Sequence, residues 1–330
     1  MPVLSVLGLA SALAALPAIT TDLPVPHEPA QHVALHCIAP AHPNGESVLF
    51  VHGASFPAML AFGFEFGPGD SWMGFMARRG FLACGLDFLG FGASSRPAAM
   101  QAAAAGAGPV TRAPAAARQI ALAVDYLRTQ RHMATVHLVA HSWGTIPAAT
   151  YAAGHPGALR SLTLFGPVVP RAQAGAVSGR MAWWGITAQE RYRQLRFADV
   201  LPPGMVLLEP AVGKAWTAAF EASAPRVPGD PPGELRIPAG PVADIEAAER
   251  GSYPYAAGDI KAPVFVVYGD YDTVVDDAGA AAFLARFTGS TLRWRLRIDY
   301  GTHVMHLERE RHSLYESVWA FLRAAGSRTP

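Results

Sequence analysis

The chain has 330 residues, 51% of them hydrophobic and 15% charged, which is ample for one large core. Its formal net charge is +1 and no block of like charges occurs, leaving little to hold a phosphate backbone; no nucleic-acid partner is expected. The length slightly exceeds what one compact domain needs, so the expectation is one domain carrying an insertion.

Residues 1–21 form an apolar N-terminal segment. Val3 to Leu16 has the length of an export-signal core, yet no Lys or Arg precedes it, and the small-residue site Ala12-Leu13-Ala14 comes too early. It is too short, and too interrupted by Gly8 and Pro17, for a spanning helix, so no stable membrane span is expected. Two readings stay open: a cytoplasmic protein whose N-terminus packs or is poorly ordered, or an exported one whose signal is cleaved. Cys37 and Cys84, the two cysteines, lie outside any metal-ligand spacing. Both fall within expected strands, where a bridge between neighbours would be strained, so they are read as buried free thiols.

From there the chain alternates strand-like and helix-like segments, the pattern of a parallel sheet with crossover helices. Strands are expected at His32–Ile38, Ser47–Val51, Phe81–Asp87, Thr135–Ala140, Ser161–Phe165, Val264–Tyr268 and Leu292–Ile298. Several are continuous apolar runs, as in strands buried on both faces. Helices are expected over Ala116–Gln130, Ile146–Ala153 and Glu308–Ala324, and Met100–Gly108 reads as a mobile surface loop. Between Pro167 and Asp259 the alternation fails, and about ninety residues exceed any ordinary connection. That stretch, residues 167–258, is read as a partly helical lid inserted into a core formed by 22–166 and 259–330.

The chemistry concentrates at Ala140-His141-Ser142-Trp143-Gly144. A strand there runs into a sharp turn and then a helix, with Ser142 at the apex. The nucleophile-elbow pattern G-x-S-x-G fits, except that Ala140 stands where glycine is usual; the pentapeptide alone equally fits a serine that caps the helix. A serine hydroxyl needs a base, and the base an orienting carboxylate. His303, two residues past Gly301 on the loop after the last strand, is the expected base; His306 and His312 are its rivals. Asp272, three residues past Gly269, is the expected carboxylate, with Asp270 as fallback.

The order Ser142…Asp272…His303, the dipeptide His52-Gly53 after a buried strand, and Asp87-Phe-Leu-Gly-Phe-Gly-Ala-Ser-Ser-Arg96 together resemble the α/β-hydrolase superfamily, in particular its serine esterases and lipases. The likeness covers about Asp22 to Ala324 apart from the lid. It implies an α/β fold, a mostly parallel doubly wound sheet with the lid between its sixth and seventh strands. It also implies an oxyanion hole of two backbone amides, Trp143 and Ala54, with Gly53 or Ser55 as alternatives to the latter. His52 is then a loop support, and Asp87 and Arg96 are structural.

The expected reaction is acyl transfer from a small-molecule carboxylic ester with an apolar or aromatic part, needing no metal or organic cofactor. Trp183, Trp184, Trp216, Phe220, Phe56, Phe62 and Phe64 are candidates to wall its pocket. The serine excludes a close match to the superfamily's aspartate-nucleophile dehalogenases and epoxide hydrolases. Ser-Trp-Gly followed by Tyr151-Ala-Ala-Gly-His-Pro156 also resembles proline iminopeptidases, which hold a substrate amine with acidic lid residues; Glu190, Glu209, Glu221, Asp230, Glu234, Asp244 and Glu246 are available. Acyltransferase activity and a non-catalytic protein that binds a small ligand under the lid are the other readings. Nothing in the sequence specifies an oligomeric state.

Overall fold

Val48, Leu49, Phe50 and Val51 have no solvent contact although successive side chains on a strand point to opposite faces. Such a strand must be covered on both sides, and the architecture follows from that. A computed structural model describes residues 18–172 and 181–327. Its strands are β1 (Ala18–Pro24), β2 (His32–Ile38), β3 (Glu46–Val51), β4 (Leu82–Asp87), β5 (Thr135–His141), β6 (Ser161–Phe165), β7 (Trp183–Thr187), β8 (Glu234–Pro238), β9 (Val264–Tyr271) and β10 (Arg293–Thr302). Among the described residues eight of them form one sheet in the order β1-β2-β4-β3-β5-β6-β9-β10. The β1–β2 and β2–β4 pairs are antiparallel, and every pair from β4 to β10 is parallel. This is the doubly wound α/β sheet that the alternation predicts.

The helices are α1 (Ala58–Ala61), α2 (Trp72–Arg78), α3 (Ala113–Thr129), α4 (Thr145–Gly154), α5 (Ala188–Leu195), α6 (Pro210–Ala222), α7 (Gly240–Glu249), α8 (Asp277–Ala285) and α9 (Arg311–Gly326). In α3, Pro114 sits in the first turn, where its missing N–H costs nothing, and Ile120, Ala123, Val124 and Leu127 form the buried stripe. Helices α2 and α9 meet through Trp72 and Tyr315, whose rings stack 4.8 Å apart.

Three expectations change. The apolar N-terminal segment lies outside the described residues up to position 17, but 18–21 belong to β1, an edge strand that the sequence reading missed. Cys37 and Cys84 are not free thiols: they are bonded as a disulfide, 4.1 Å apart at Cα. They face each other across the antiparallel β2–β4 register, where close pairs bring side chains together. Linear sequence hides this, because β4 reaches β2 only after passing β3. The Met100–Gly108 stretch lies at the surface as expected, tied down at Met100, which is buried, and at Ala104, whose carbonyl accepts from Ala182 N. The final helix starts at Arg311 rather than Glu308, because Glu308 is engaged with the preceding loop.

Residues 181–258 hold β7 and β8, paired antiparallel in a separate two-stranded sheet, and helices α5 to α7. They meet the core at Phe56, whose ring lies edge-on to Trp216 at 5.3 Å, and at Leu60, whose carbonyl accepts from the Trp216 indole.

Candidate active site

Parallel strands bring their C-terminal ends to one edge of a sheet, and loops there converge where the strand order reverses. Here the chain leaves β3 for β4 on one side and returns past it to β5, so the reversal lies between β3 and β5. Gly53 follows β3 and Ser142 follows β5.

Ser142 occupies left-handed backbone space at φ +55°, strain for a non-glycine residue that persists only where the surroundings impose it. What imposes it is close packing of the turn. A Cβ at Gly144 would stand 2.3 Å from His52 O, and one at Gly53 would stand 3.1 Å from Ser142 Cβ. Ala140, the departure from the usual glycine, is buried within β5 opposite Val51, where its methyl is accommodated. Ser142 is therefore a turn apex whose Oγ leaves the sheet edge, with its carbonyl held by the Thr145 hydroxyl at 2.6 Å.

Asp272 and His303 arrive at that hydroxyl. His303 Nδ1 lies 3.0 Å from both carboxylate oxygens of Asp272, and its Nε2 lies 2.7 Å from Ser142 Oγ. With Nδ1–H donating to the carboxylate, Nε2 carries a lone pair and accepts a hydrogen bond from the Ser142 hydroxyl. Asp272 is itself fixed by the Val274 amide, which donates to Oδ1 at 2.8 Å. The three residues are each at most 9% exposed, so water has little access to the hydrogen bonds between them.

The rivals are elsewhere. His306 is wholly buried with neither ring nitrogen bonded, and burial, with the nearby His303, pushes its pKa down to about 3. His312 is on α9 beside Asp70. Asp270 lies one residue before the end of β9 and accepts from the Gly301 amide.

Several groups hold the His303 loop, and the sequence reading did not single them out. Asp270 takes Gly301 N–H, Glu308 takes Thr302 N–H at 2.9 Å and the Thr302 hydroxyl at 2.6 Å, and His141 Nε2 donates to His303 O at 2.8 Å. Three consecutive residues up to the imidazole are thus pinned by side chains from three places. Burial, with His306 and His303 close by, holds His141 well below the usual histidine range, so it stays neutral and keeps this donor geometry. Gly166, at φ +53°, leaves the space in which Asp272 meets His303: a Cβ there would lie 3.0 Å from Asp272 Oδ2 and from His303 Nδ1. A glycine directly after the buried strand β6 was the available signal.

The Ala54 and Trp143 amides, expected as oxyanion donors, have no protein acceptor among the described residues. His52 sets the Ala54 loop: its Nδ1–H donates to Gly53 O at 2.8 Å, and its Nε2 accepts from Phe88 N–H at 3.2 Å. Burial keeps His52 neutral by lowering its pKa, against the pull of Asp87. Asp87 ties the same region together, accepting from Ala58 N, Ala93 N and His36 Nε2. Burial alone would raise its pKa, but the His36 hydrogen bond and charge bring it below the ordinary value. Arg96 bonds the carbonyls of Ser94 and Gly92.

The aromatic candidates divide. Trp216 and Phe220 are buried and stacked 5.2 Å apart next to Phe56, whereas Phe62 packs into the core on Phe50 and Trp72. Trp183 lies under the Arg236 guanidinium and donates to Ala102 O. Of the acidic residues, Glu209 pairs with Arg309, Asp230 with Arg236, and Asp244 with Arg112, Ala113 N and the Trp143 indole. Among the described residues no group of three or more His, Cys, Asp or Glu is arranged to hold a metal ion, and no helix is long and apolar enough to cross a membrane.

Residues 47–310 match the family model described as alpha/beta hydrolase fold. No curated protein matches the sequence. Among solved structures, a hydrolase from Pseudomonas aeruginosa superposes with TM-score 0.61 at 17% identity, covering 92% of this chain and 98% of that one. The thioesterase domain from the curacin biosynthetic pathway gives 0.60 at 17%, covering 93% and 99%. An esterase from Exiguobacterium antarcticum gives 0.59 at 16%, covering 92% and 100%. At such identities these likenesses concern the fold.

Proposed function

The chain belongs to the α/β hydrolase fold family, and on that premise we propose that it is a serine hydrolase that cleaves a carboxylic ester through an acyl-enzyme on Ser142. The observation that carries this reading is the hydrogen-bonded line from Asp272 through His303 to Ser142 Oγ. Ser142 Oγ attacks the carbonyl carbon while His303 Nε2 takes its proton, and Asp272 stabilises the imidazolium. The carbonyl oxygen gathers negative charge and is received by the Ala54 and Trp143 amides; one such donor is worth about 3 kcal/mol in the transition state. Collapse expels the alcohol, protonated by His303, and water then releases the acid by the same steps in reverse.

We read residues 167–258 as a lid over the strand ends, supported by the seating of Trp216 on Phe56 and Leu60. The cluster of Phe56, Trp216 and Phe220 supports a substrate with an apolar or aromatic part. For the iminopeptidase alternative, three of the seven acidic candidates, Glu209, Asp230 and Asp244, are already bonded within the protein, and that reading turns on the other four. The Cys37–Cys84 bridge favours the exported alternative over a cytoplasmic location, because disulfides persist in oxidising compartments.

The test is Ser142→Ala. It should abolish both turnover of p-nitrophenyl esters and labelling by a fluorophosphonate probe, while full activity in the variant would sink the assignment. Proline anilides measured alongside separate esterase from aminopeptidase.

A further inference from the structure

Asp244, on α7 of the inserted segment, is 4% exposed, and three donors from the core converge on it. Arg112 Nε reaches Oδ1 at 2.5 Å; Ala113 N, the first amide of α3, and the Trp143 indole Nε1 reach Oδ2 at 2.6 and 3.1 Å. Trp143 is the residue after the nucleophile, and its side chain has no solvent contact. Its ring lies edge-on to Phe88 at 5.4 Å, so Phe88 steadies the ring while Asp244 takes its polar tip.

We propose that Asp244 is a positioning residue for the reaction: by holding the Trp143 indole it fixes the backbone amide that receives the oxyanion, and so couples the seating of the inserted segment to the active site. This inference rests on the serine-hydrolase reading above. The physical reason lies in the turn. Ser142 holds an unfavourable backbone conformation at φ +55°, so the direction of the next amide depends on what restrains position 143. A side chain anchored at its far end restrains the Cα that carries that amide. Misplacement of a catalytic group by about 1 Å can cost on the order of a hundredfold in rate, so a partial loss of anchoring is expected to cost about tenfold. The insertion then acts as more than a cover: where α7 is unseated, Asp244 leaves Trp143 and the oxyanion amide loses its restraint.

Asp244 also caps α3 and pairs with Arg112, so removing it lowers stability whatever its role in the reaction. The test must therefore read chemistry. Fluorophosphonate labelling serves without a known substrate: Ser142 Oγ bonds phosphorus, fluoride leaves, the serine proton passes to His303, and the phosphoryl oxygen calls on the same two amides. The maximal labelling rate kinact and the half-saturating concentration KI are measured for wild type, Asp244→Asn, Asp244→Ala, Trp143→Phe and the Asp244→Ala/Trp143→Phe double variant.

Trp143→Phe keeps the backbone amide and loses only the indole; it should lower kinact about tenfold with KI within about threefold. Asp244→Ala should do at least as much. The double variant should be no slower than Asp244→Ala alone, since both changes break one link. Asp244→Asn, whose carbonyl oxygen still accepts from the indole, should recover most of the rate. Trp143→Phe at the wild-type kinact, or a double-variant loss equal to the product of the single losses, overturns the proposal. Should Asp244→Ala fail to fold by circular dichroism, Trp143→Phe and Asp244→Asn decide it alone. Labelling of Ser142→Ala at the wild-type rate overturns the serine-hydrolase reading, and this inference with it. Labelling confined to Ser142 and indifferent to positions 143 and 244 overturns this inference only.

Discussion

Replacing Glu308 by glutamine should make the protein more stable at pH 8 and leave it nearly unchanged at pH 5. Glu308 is 1% exposed and holds the Thr302 amide and hydroxyl immediately before His303. Burial pushes its carboxyl from the ordinary 4.5 up to about 7; the Thr302 bonds oppose the rise, while the nearby Asp272 and Asp270 add to it. A raised pKa means that the folded protein keeps this proton between pH 4.5 and 7 while the unfolded chain releases it. The group's contribution to stability is thus fully present below 4.5 and is lost as pH rises to 7. A rise from 4.5 to about 7 corresponds to about 3 kcal/mol. Glutamine is neutral throughout, and its carbonyl and amide can serve the same two Thr302 groups. The measurement is guanidinium unfolding of both proteins from pH 4.5 to 8, read as their difference so that other titrating groups cancel. A gap opening between pH 5 and 7 to about 2–3 kcal/mol in favour of the variant is expected. A flat difference, or a variant less stable at pH 8, would mean that Glu308 does not hold a raised carboxyl pKa in the folded protein.

On the acid side the sign reverses. His306 has its pKa pushed down to about 3, so stability falls as pH drops from 6.5 towards 3, by up to about 5 kcal/mol. His306→Phe, packed against Phe56, Phe62 and Phe165, should remove that loss in acid unfolding curves. Gly166→Ala places a methyl against Asp272 and His303 at positive φ; it should cost about 1–2 kcal/mol in melts and slow fluorophosphonate labelling about tenfold. Unreduced, denatured protein should show no free thiol by Ellman titration and two after reduction. Cys37→Ala/Cys84→Ala, opening a loop of sequence separation 47, should lose about 4 kcal/mol; unchanged stability would argue against the bridge.

Ser142 and Asp272 are legible in the sequence because each follows a buried apolar run, and such runs announce where parallel strands end. His303 follows β10, which is exposed along most of its length, and is legible only from its place after Gly301 on the loop before the last helix. Most strand boundaries fell within a few residues for the same reason. What escaped depends on neighbours that are distant along the chain. Strand β1 alternates weakly and is exposed along most of its length, so it carries no apolar run. The Cys37–Cys84 pairing follows from sheet order, to which local pattern is blind. Asp244 is one of nine acidic residues in the insertion. Only the fold, which brings it to Arg112, Ala113 and Trp143, distinguishes it. His306 looked like an alternative base because loop histidines resemble one another in sequence; its burial among Phe56, Phe62 and Phe165 removes it.

Covalent acylation of Ser142 is the step on which the proposed function depends, and rapid mixing with a p-nitrophenyl ester reads it out. A burst of p-nitrophenolate approaching one equivalent per chain, with acid-quenched protein carrying the acyl group on the peptide that contains Ser142, is the predicted result. Turnover with no burst and no adduct at Ser142, or an adduct on another residue, would contradict it.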